Sequence, residues 1–105
     1  MKKNVFVVIV TYNGDRWIEG NIKSLLKSHY PCKIVIIDNG STDSTIDIIS
    51  KFKAIKLIDN KSNLGFGQAN NIGIEYSQKN GSDYIFLLNQ DVQVEGNTIS
   101  NLVQV

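Results

Sequence analysis

The chain alternates continuous apolar runs with amphipathic stretches of helical period. Val5–Thr11, Lys33–Asp38 and Tyr84–Leu88 are dense in Val, Ile, Leu and Phe and read as strands. They are unbroken apolar runs rather than alternating ones, the pattern of strands covered on both faces. A shorter run, Ile55–Ile58, reads as the third of four strands in chain order. Between them lie helical patterns. Ile18, Ile22, Leu25 and Leu26 mark one face of a helix over Arg16–Ser28. Ile46, Ile49 and Phe52 point inward from a helix over Ser44–Phe52, preceded by the N-cap candidates of Ser41–Thr45. Ala69, Ile72, Gly73 and Tyr76 form the packing stripe of a helix over Gly67–Gln78, and a last helix begins near Gly96 with Ile99, Leu102 and Val103. Pro31 and Asn80-Gly81 turn the chain, and Asp59–Gly67 is an Asn- and Gly-rich loop.

Strand–helix alternation at this spacing predicts an α/β fold with a mostly parallel sheet, right-handed crossovers and helices on both faces. The expected arrangement is a Rossmann-like half, strand order 3-2-1-4, with a crevice between strands one and four. The last amphipathic pattern runs to the end of the chain without a C-cap, so the 105 residues read as one partial domain, the N-terminal half of a larger unit. Strand four would then be an open edge, and edges invite pairing with another chain. Self-association through that edge is expected.

Composition narrows the chemistry. Hydrophobic residues make up 42% and charged residues 20%, enough for one small core. The net charge of +1 and the scattered lysines argue against nucleic-acid binding. One cysteine, Cys32, excludes an intrachain disulfide and a cysteine-rich zinc site, and fits a reducing compartment. Cys32 reads as inert, His29 as a cap or surface residue, and Trp17 as a packing residue. No run approaches the roughly 20 apolar residues of a membrane span.

The polar residues that end the strands carry the candidate chemistry. Strand four runs into Asn89-Gln90-Asp91, strand one into Thr11-Tyr12-Asn13-Gly14, and strand two into Asp38-Asn39-Gly40-Ser41. In open α/β sheets, ligands bind outside the carboxyl ends of the strands. An aromatic such as Tyr12 can stack on a nucleobase, and Thr11 and Asn13 can hydrogen-bond its edge. Asp38 can accept from a pyrimidine N–H or a ribose hydroxyl. Asp91 can hold Mg²⁺ or Mn²⁺ at a diphosphate, since those hard cations favour oxygen ligands. Gly65-Phe66-Gly67 before a helix suggests a phosphate cradle, though the full dinucleotide fingerprint is absent. Of the adjacent Asn70 and Asn71, at most one can face the crevice. Asp43 reads as a helix cap.

Taken in order, Val-Ile-Val-Thr-Tyr-Asn-Gly, Val-Ile-Ile-Asp-Asn-Gly-Ser-Thr-Asp, Asn-Leu-Gly-Phe-Gly-x-Ala-Asn-Asn-x-Gly and Phe-Leu-Leu-Asn-Gln-Asp resemble the N-terminal half of family 2 glycosyltransferases. The resemblance spans Val5 to about Val103. It implies a GT-A fold and inverting transfer of a sugar from a nucleotide-diphosphate donor, UDP- or dTDP-linked, to a saccharide or lipid-linked acceptor. It implies that Thr11, Tyr12, Asn13 and Asp38 hold base and ribose. Gly65, Asn70 and Asn89 would complete the nucleotide-sugar site, and Asp91 would hold the divalent metal of the Asp-x-Asp region. Asn89 stands where the first acid of that motif is usual, and Asn70 where many members carry a basic residue. The motif style is closest to rhamnosyl- and galactofuranosyltransferases of bacterial polysaccharide synthesis. The resemblance further implies a cytoplasmic protein, peripheral at the inner face of the membrane when full-length. The catalytic base is expected downstream, so the 105 residues alone should not turn over. The alternative from another class is a non-catalytic nucleotide-binding α/β module. A nucleotidyltransferase lacks support because the segment after strand one is short and poor in glycine. A phosphoreceiver domain lacks it because the acidic pair and distal lysine are not recognisable.

Overall fold

The computed structural model describes residues 2–104. Four parallel strands, β1 (Val5–Thr11), β2 (Lys33–Asp38), β3 (Lys56–Asp59) and β4 (Tyr84–Asn89), form one sheet in the order β3-β2-β1-β4. The helices between and after them are α1 (Ile18–Leu26), α2 (Thr45–Ser50), α3 (Phe66–Lys79) and α4 (Thr98–Val103). The sheet order and the alternation are those expected from the sequence.

The pleat sorts the core into two layers. Val5, Val7 and Ile9 of β1, with Ile34 and Ile36 of β2, face α1, α2 and α4, where Ile18, Ile22, Leu25, Ile49 and Ile99 meet them. Phe6, Val8 and Val10 of β1, with Val35 and Ile37, face the other way, onto Ala69, Ile72 and Tyr76 of α3. β1 is therefore buried along its whole length. Gly73 lets α3 lie close to this second layer: a Cβ there would collide with Val8 Cγ1 and Ile37 Cδ1.

Three expected packing positions differ. Leu26 is exposed, and the buried face of α1 is Ile18, Asn21, Ile22 and Leu25. At about 100° per residue Leu26 falls outside the arc of the helix that Ile18, Asn21, Ile22 and Leu25 occupy, past the edge of the sheet-facing stripe. On α2, Ile48 and Ile49 rather than Ile46 join the core with Phe52. On α4, Ile99 and Val103 reach the core while Leu102 is 54% exposed. β4 also departs from the expectation of a strand covered on both faces: as the sheet edge it leaves Leu87 54% exposed.

Register brings the strand ends level. Thr11 pairs with Asp38, Val10 with Asn89, and Asp38 with Asp59. The polar tips of three strands therefore share one edge of the sheet, which is where the candidate site lies.

Candidate functional site

The β1 and β2 tips are tied to each other before any ligand is considered. Asp38 is fully buried. Its Oδ1 accepts from the hydroxyls of Thr11 (2.7 Å) and Ser41 (2.6 Å), and its Oδ2 accepts from the amides of Gly40 (3.1 Å) and Ser41 (2.8 Å). Four donors on two oxygens satisfy a buried carboxylate. Gly40 makes the turn possible: its φ is +84°, and a Cβ there would press on the Ser62 backbone at 3.0–3.2 Å. Asn13 takes a positive φ of 46°, which asparagine tolerates, and braces the same turn. Its amide donates to Ser41 Oγ (2.9 Å) and its Oδ1 accepts from the Thr42 amide (2.8 Å). Asp43 is exposed beside the start of α2. Burial opposes its ionisation, but hydrogen bonds from the Thr45 hydroxyl and amide and from the Asp15 amide outweigh it, so its carboxyl lies below the ordinary aspartate range.

A second set of bonds brings in the loop after β3. Asn39 is buried at the end of β2; its Nδ2 donates to the Gly65 carbonyl (3.1 Å) and its Oδ1 accepts from Asn60 Nδ2 (3.0 Å). Asn63 Oδ1 in turn accepts from the Gly65 amide (2.9 Å). Gly65 has a φ of +87° and hands the chain to α3 with no side chain capping the helix. The first N–H groups of α3 are thus left without a capping side chain.

The third tip is joined to the first by one side chain. Gln90 Oε1 accepts from the Tyr12 amide (3.1 Å) and Gln90 Nε2 donates to the Tyr12 carbonyl (3.2 Å). This amide acts as one more rung between β1 and β4, past the point where the strands stop pairing.

Between these tips lies an open cleft of about 400 Å³. Tyr12 and Trp17 line it from the β1 side, and Asn89, Gln90 and Asp91 from the β4 side; Asn39, Asn63 and Phe66 close the third side over Val10. Three aromatics, Tyr12 (47% exposed), Trp17 (41%) and Phe66 (60%), therefore surround a space rimmed by amides and one carboxylate. Exposed aromatic faces around a cleft suit a flat ring.

Of the residues singled out from sequence, Tyr12, Asn89 and Asp91 are on the cleft wall. Thr11 and Asp38 are beneath it, fully buried and bonded to each other. Asn13 braces the Ser41 turn, Gly65 hinges the loop into α3, and Asn70 is buried on α3. Asn71, its neighbour, is exposed. Sequence reasoning passed over Trp17 as packing, and gave no role to Phe66, Asn63 or Gln90. The signal for the last was its place inside Asn89-Gln90-Asp91, at a strand end with a side chain long enough to reach a neighbouring tip.

Among the described residues, Asp91 is the sole carboxylate on the cleft wall, and no group of three or more His, Cys, Asp or Glu side chains could hold a metal ion. That donor set fits a hard cation held by one carboxylate and completed by ligand phosphates and water. It does not fit a site closed by protein ligands alone.

The sequence profile of Glycosyl transferase family 2 matches residues 6–105. The chain belongs to this family. It is 31% identical over 104 residues to the dTDP-rhamnosyl transferase RfbF of Shigella flexneri, covering 97% of this chain and 34% of that protein. It is 32% identical over 105 residues to the O-antigen chain rhamnosyltransferase RfbN of Salmonella typhimurium, covering 94% of this chain and 32% of that one. The family 2 chain thus spans about a third of the length of these relatives. Its fold is that of Staphylococcus aureus TarS 1–349 in complex with UDP-GlcNAc (TM-score 0.86, 22% identity, 96% of this chain and 30% of that one). It is also that of the mannosyltransferase PcManGT from Pyrobaculum calidifontis in complex with GDP-Man and Mn²⁺ (TM-score 0.87, 20% identity, 99% and 32%). The GT-A type of sheet expected from the sequence is the one found.

Proposed function

We propose that this chain is the donor-binding part of an inverting glycosyltransferase that takes a UDP- or dTDP-linked sugar and delivers it to a saccharide or lipid-linked acceptor. The observation that carries this reading is the cleft itself: an aromatic tip, Tyr12, and a single carboxylate, Asp91, face one space at the carboxyl edge of a parallel sheet. The likeness to a dTDP-rhamnosyl transferase over 97% of the chain favours a nucleotide-sugar donor.

Tyr12 stacks on the base, with Trp17 and Phe66 completing an aromatic collar. Asn89 meets the ribose, where an amide can both donate and accept. Asp91 holds Mg²⁺ or Mn²⁺ at the diphosphate; the cation, when bound, supplies charge neutralisation for the departing nucleoside diphosphate. The open N–H groups at the start of α3 add a partial positive charge on the same side. Thr11, Asn13 and Asp38 serve by fixing the β2 turn under the base, and Gly65 by swinging Phe66 to the rim. Inversion also needs a base to deprotonate the acceptor hydroxyl, and no residue of the cleft wall is assigned to that step. The 105 residues therefore bind donor without transferring it. Partner contacts in this reading include self-association along the open β4 edge.

Calorimetric titration with UDP and with dTDP, each with and without Mn²⁺, tests the reading. Binding should require the metal and fall by at least about tenfold in Asp91→Ala, as loss of the one protein ligand to the metal implies. Absence of heat with both nucleotides, or equal binding by Asp91→Ala, would overturn it, and so would turnover of a nucleotide sugar by these residues alone for the claim of inactivity.

A further inference from the structure

The geometry points to Asn21, in the middle of α1, as a positioning residue for Asp91. Asn21 is fully buried on the helix face that otherwise carries Ile18, Ile22 and Leu25. Its Nδ2 donates to two carbonyls, those of Asn89 (3.1 Å) and Val92 (2.8 Å). These are the two ends of the four-residue turn that contains Asp91. The turn has one internal bond, from the Val92 amide to the Asn89 carbonyl at 3.2 Å. Asp91 is exposed, and the point and direction from which its side chain leaves the turn are set by the backbone that Asn21 holds from below through the Asn89 and Val92 carbonyls.

One turn further along α1, Ser24 continues the bracket. Its Oγ accepts from the Val94 amide (3.1 Å) and donates to the Asn21 carbonyl (2.8 Å). The pair at i and i+3 thus grips both the turn and the segment leaving it.

The argument that Asn21 does more than fill the core rests on its other atom. Asn21 Oδ1 is buried and has no hydrogen-bond partner. A buried acceptor left unpaired is unfavourable, and a leucine of similar size would remove that cost while packing with Ile18 and Ile22. The gain that Asn offers over leucine lies in the two carbonyls it holds, which belong to the turn bearing Asp91. Gln90 ties the same turn to Tyr12 from the cleft side, so the turn is gripped on both flanks.

This inference rests on Asp91 being the metal-holding residue of the donor site, but half of its test does not. The test uses amide hydrogen exchange together with Mn²⁺ and UDP binding, on the protein and on Asn21→Leu. In Asn21→Leu, exchange at the Val92 and Val94 amides should rise by about tenfold or more while β1 and β2 amides keep their protection. Affinity for UDP with Mn²⁺ should fall by about tenfold, the range seen when groups that orient metal ligands are removed, and metal-free affinity should change by less than about twofold. Asn21→Asp, which keeps the size and removes the donors, should act in the same direction. Unchanged exchange at Val92 and Val94, or a uniform rise across β1 and β2, would overturn the assignment and leave Asn21 as core packing. If Asn21 variants do not fold, Ser24→Ala takes their place, and unchanged exchange at Val92 and Val94 there would equally overturn the bracket. If the unaltered protein binds neither UDP nor dTDP with Mn²⁺, the donor-site reading fails, and exchange at Val92 and Val94 alone decides for or against Asn21.

Discussion

Asp38 and Asp43 lie five residues apart on the same turn, and their surroundings give them different tasks. Asp38, sealed under the cleft, gathers the Thr11 hydroxyl and the Gly40 and Ser41 amides into one rigid corner. Asp43, at the surface, accepts from the Thr45 amide and hydroxyl just before α2 and holds the Asp15 amide from the β1 side. Because these donors favour its charged form, Asp43 should titrate below an ordinary aspartate in NMR-monitored acidification. A carboxyl with a lowered folded-state value stabilises the fold above the unfolded value of about 4, and that contribution is lost as pH falls through the folded value. Asp43→Asn should therefore narrow the stability difference between neutral and acidic pH; an unchanged difference would remove Asp43 from the account.

At the level of elements, the site depends on strand ends that stop pairing at the same height and are then linked by side chains. Register alone puts Thr11, Asp38 and Asn89 at one edge. Gln90 then locks the β1 and β4 tips with two hydrogen bonds to the Tyr12 backbone. Gln90→Ala removes both and should destabilise the fold by about 1–2 kcal/mol, since such bonds contribute about 1 kcal/mol each and the site is partly wet. Its effect on UDP binding should be larger than that stability loss suggests, because Tyr12 is left free to swing. Denaturant titration beside calorimetry checks both; a variant with unchanged binding would show that Tyr12 holds its place without Gln90.

Across the whole molecule, the two faces of the sheet are covered, while its two outer strands, β3 and β4, each pair on one side only among the described residues. β4 has β1 on one side and no strand on the other among the described residues. Leu87 of β4 and Leu102 of α4, each 54% exposed, flank a groove that runs along this edge. An edge with free backbone groups and apolar neighbours favours pairing with a second copy. Light scattering over a wide concentration range should show mass rising toward a dimer, and Leu87→Lys should suppress the rise. A monomer at every concentration would count against contact through β4.

Much of this architecture is written in the order of the residues. The unbroken apolar runs of β1 and β2 required cover on both sides, and the periodic stripes between them supplied it, so parallel alternation followed from hydrophobic burial and crossover handedness, and strand order from likeness to a Rossmann half. Family membership was equally legible, since it resides in short motifs at the strand ends. Sequence could not decide which polar residues at those ends face the cleft. Thr11 and Asp38 looked as available as Tyr12 and Asn89, yet strand pairing buries the first two and turns the others outward. Nor could it place Asn21, which broke the apolar stripe of α1 and drew Leu26 into the expected face instead. A buried amide has meaning only once its carbonyl partners arrive, and Asn89 and Val92 lie 68 and 71 residues away along the chain. Local pattern settles what must be hidden from water; which hydrogen-bonding groups meet is decided only when the sheet brings distant segments together.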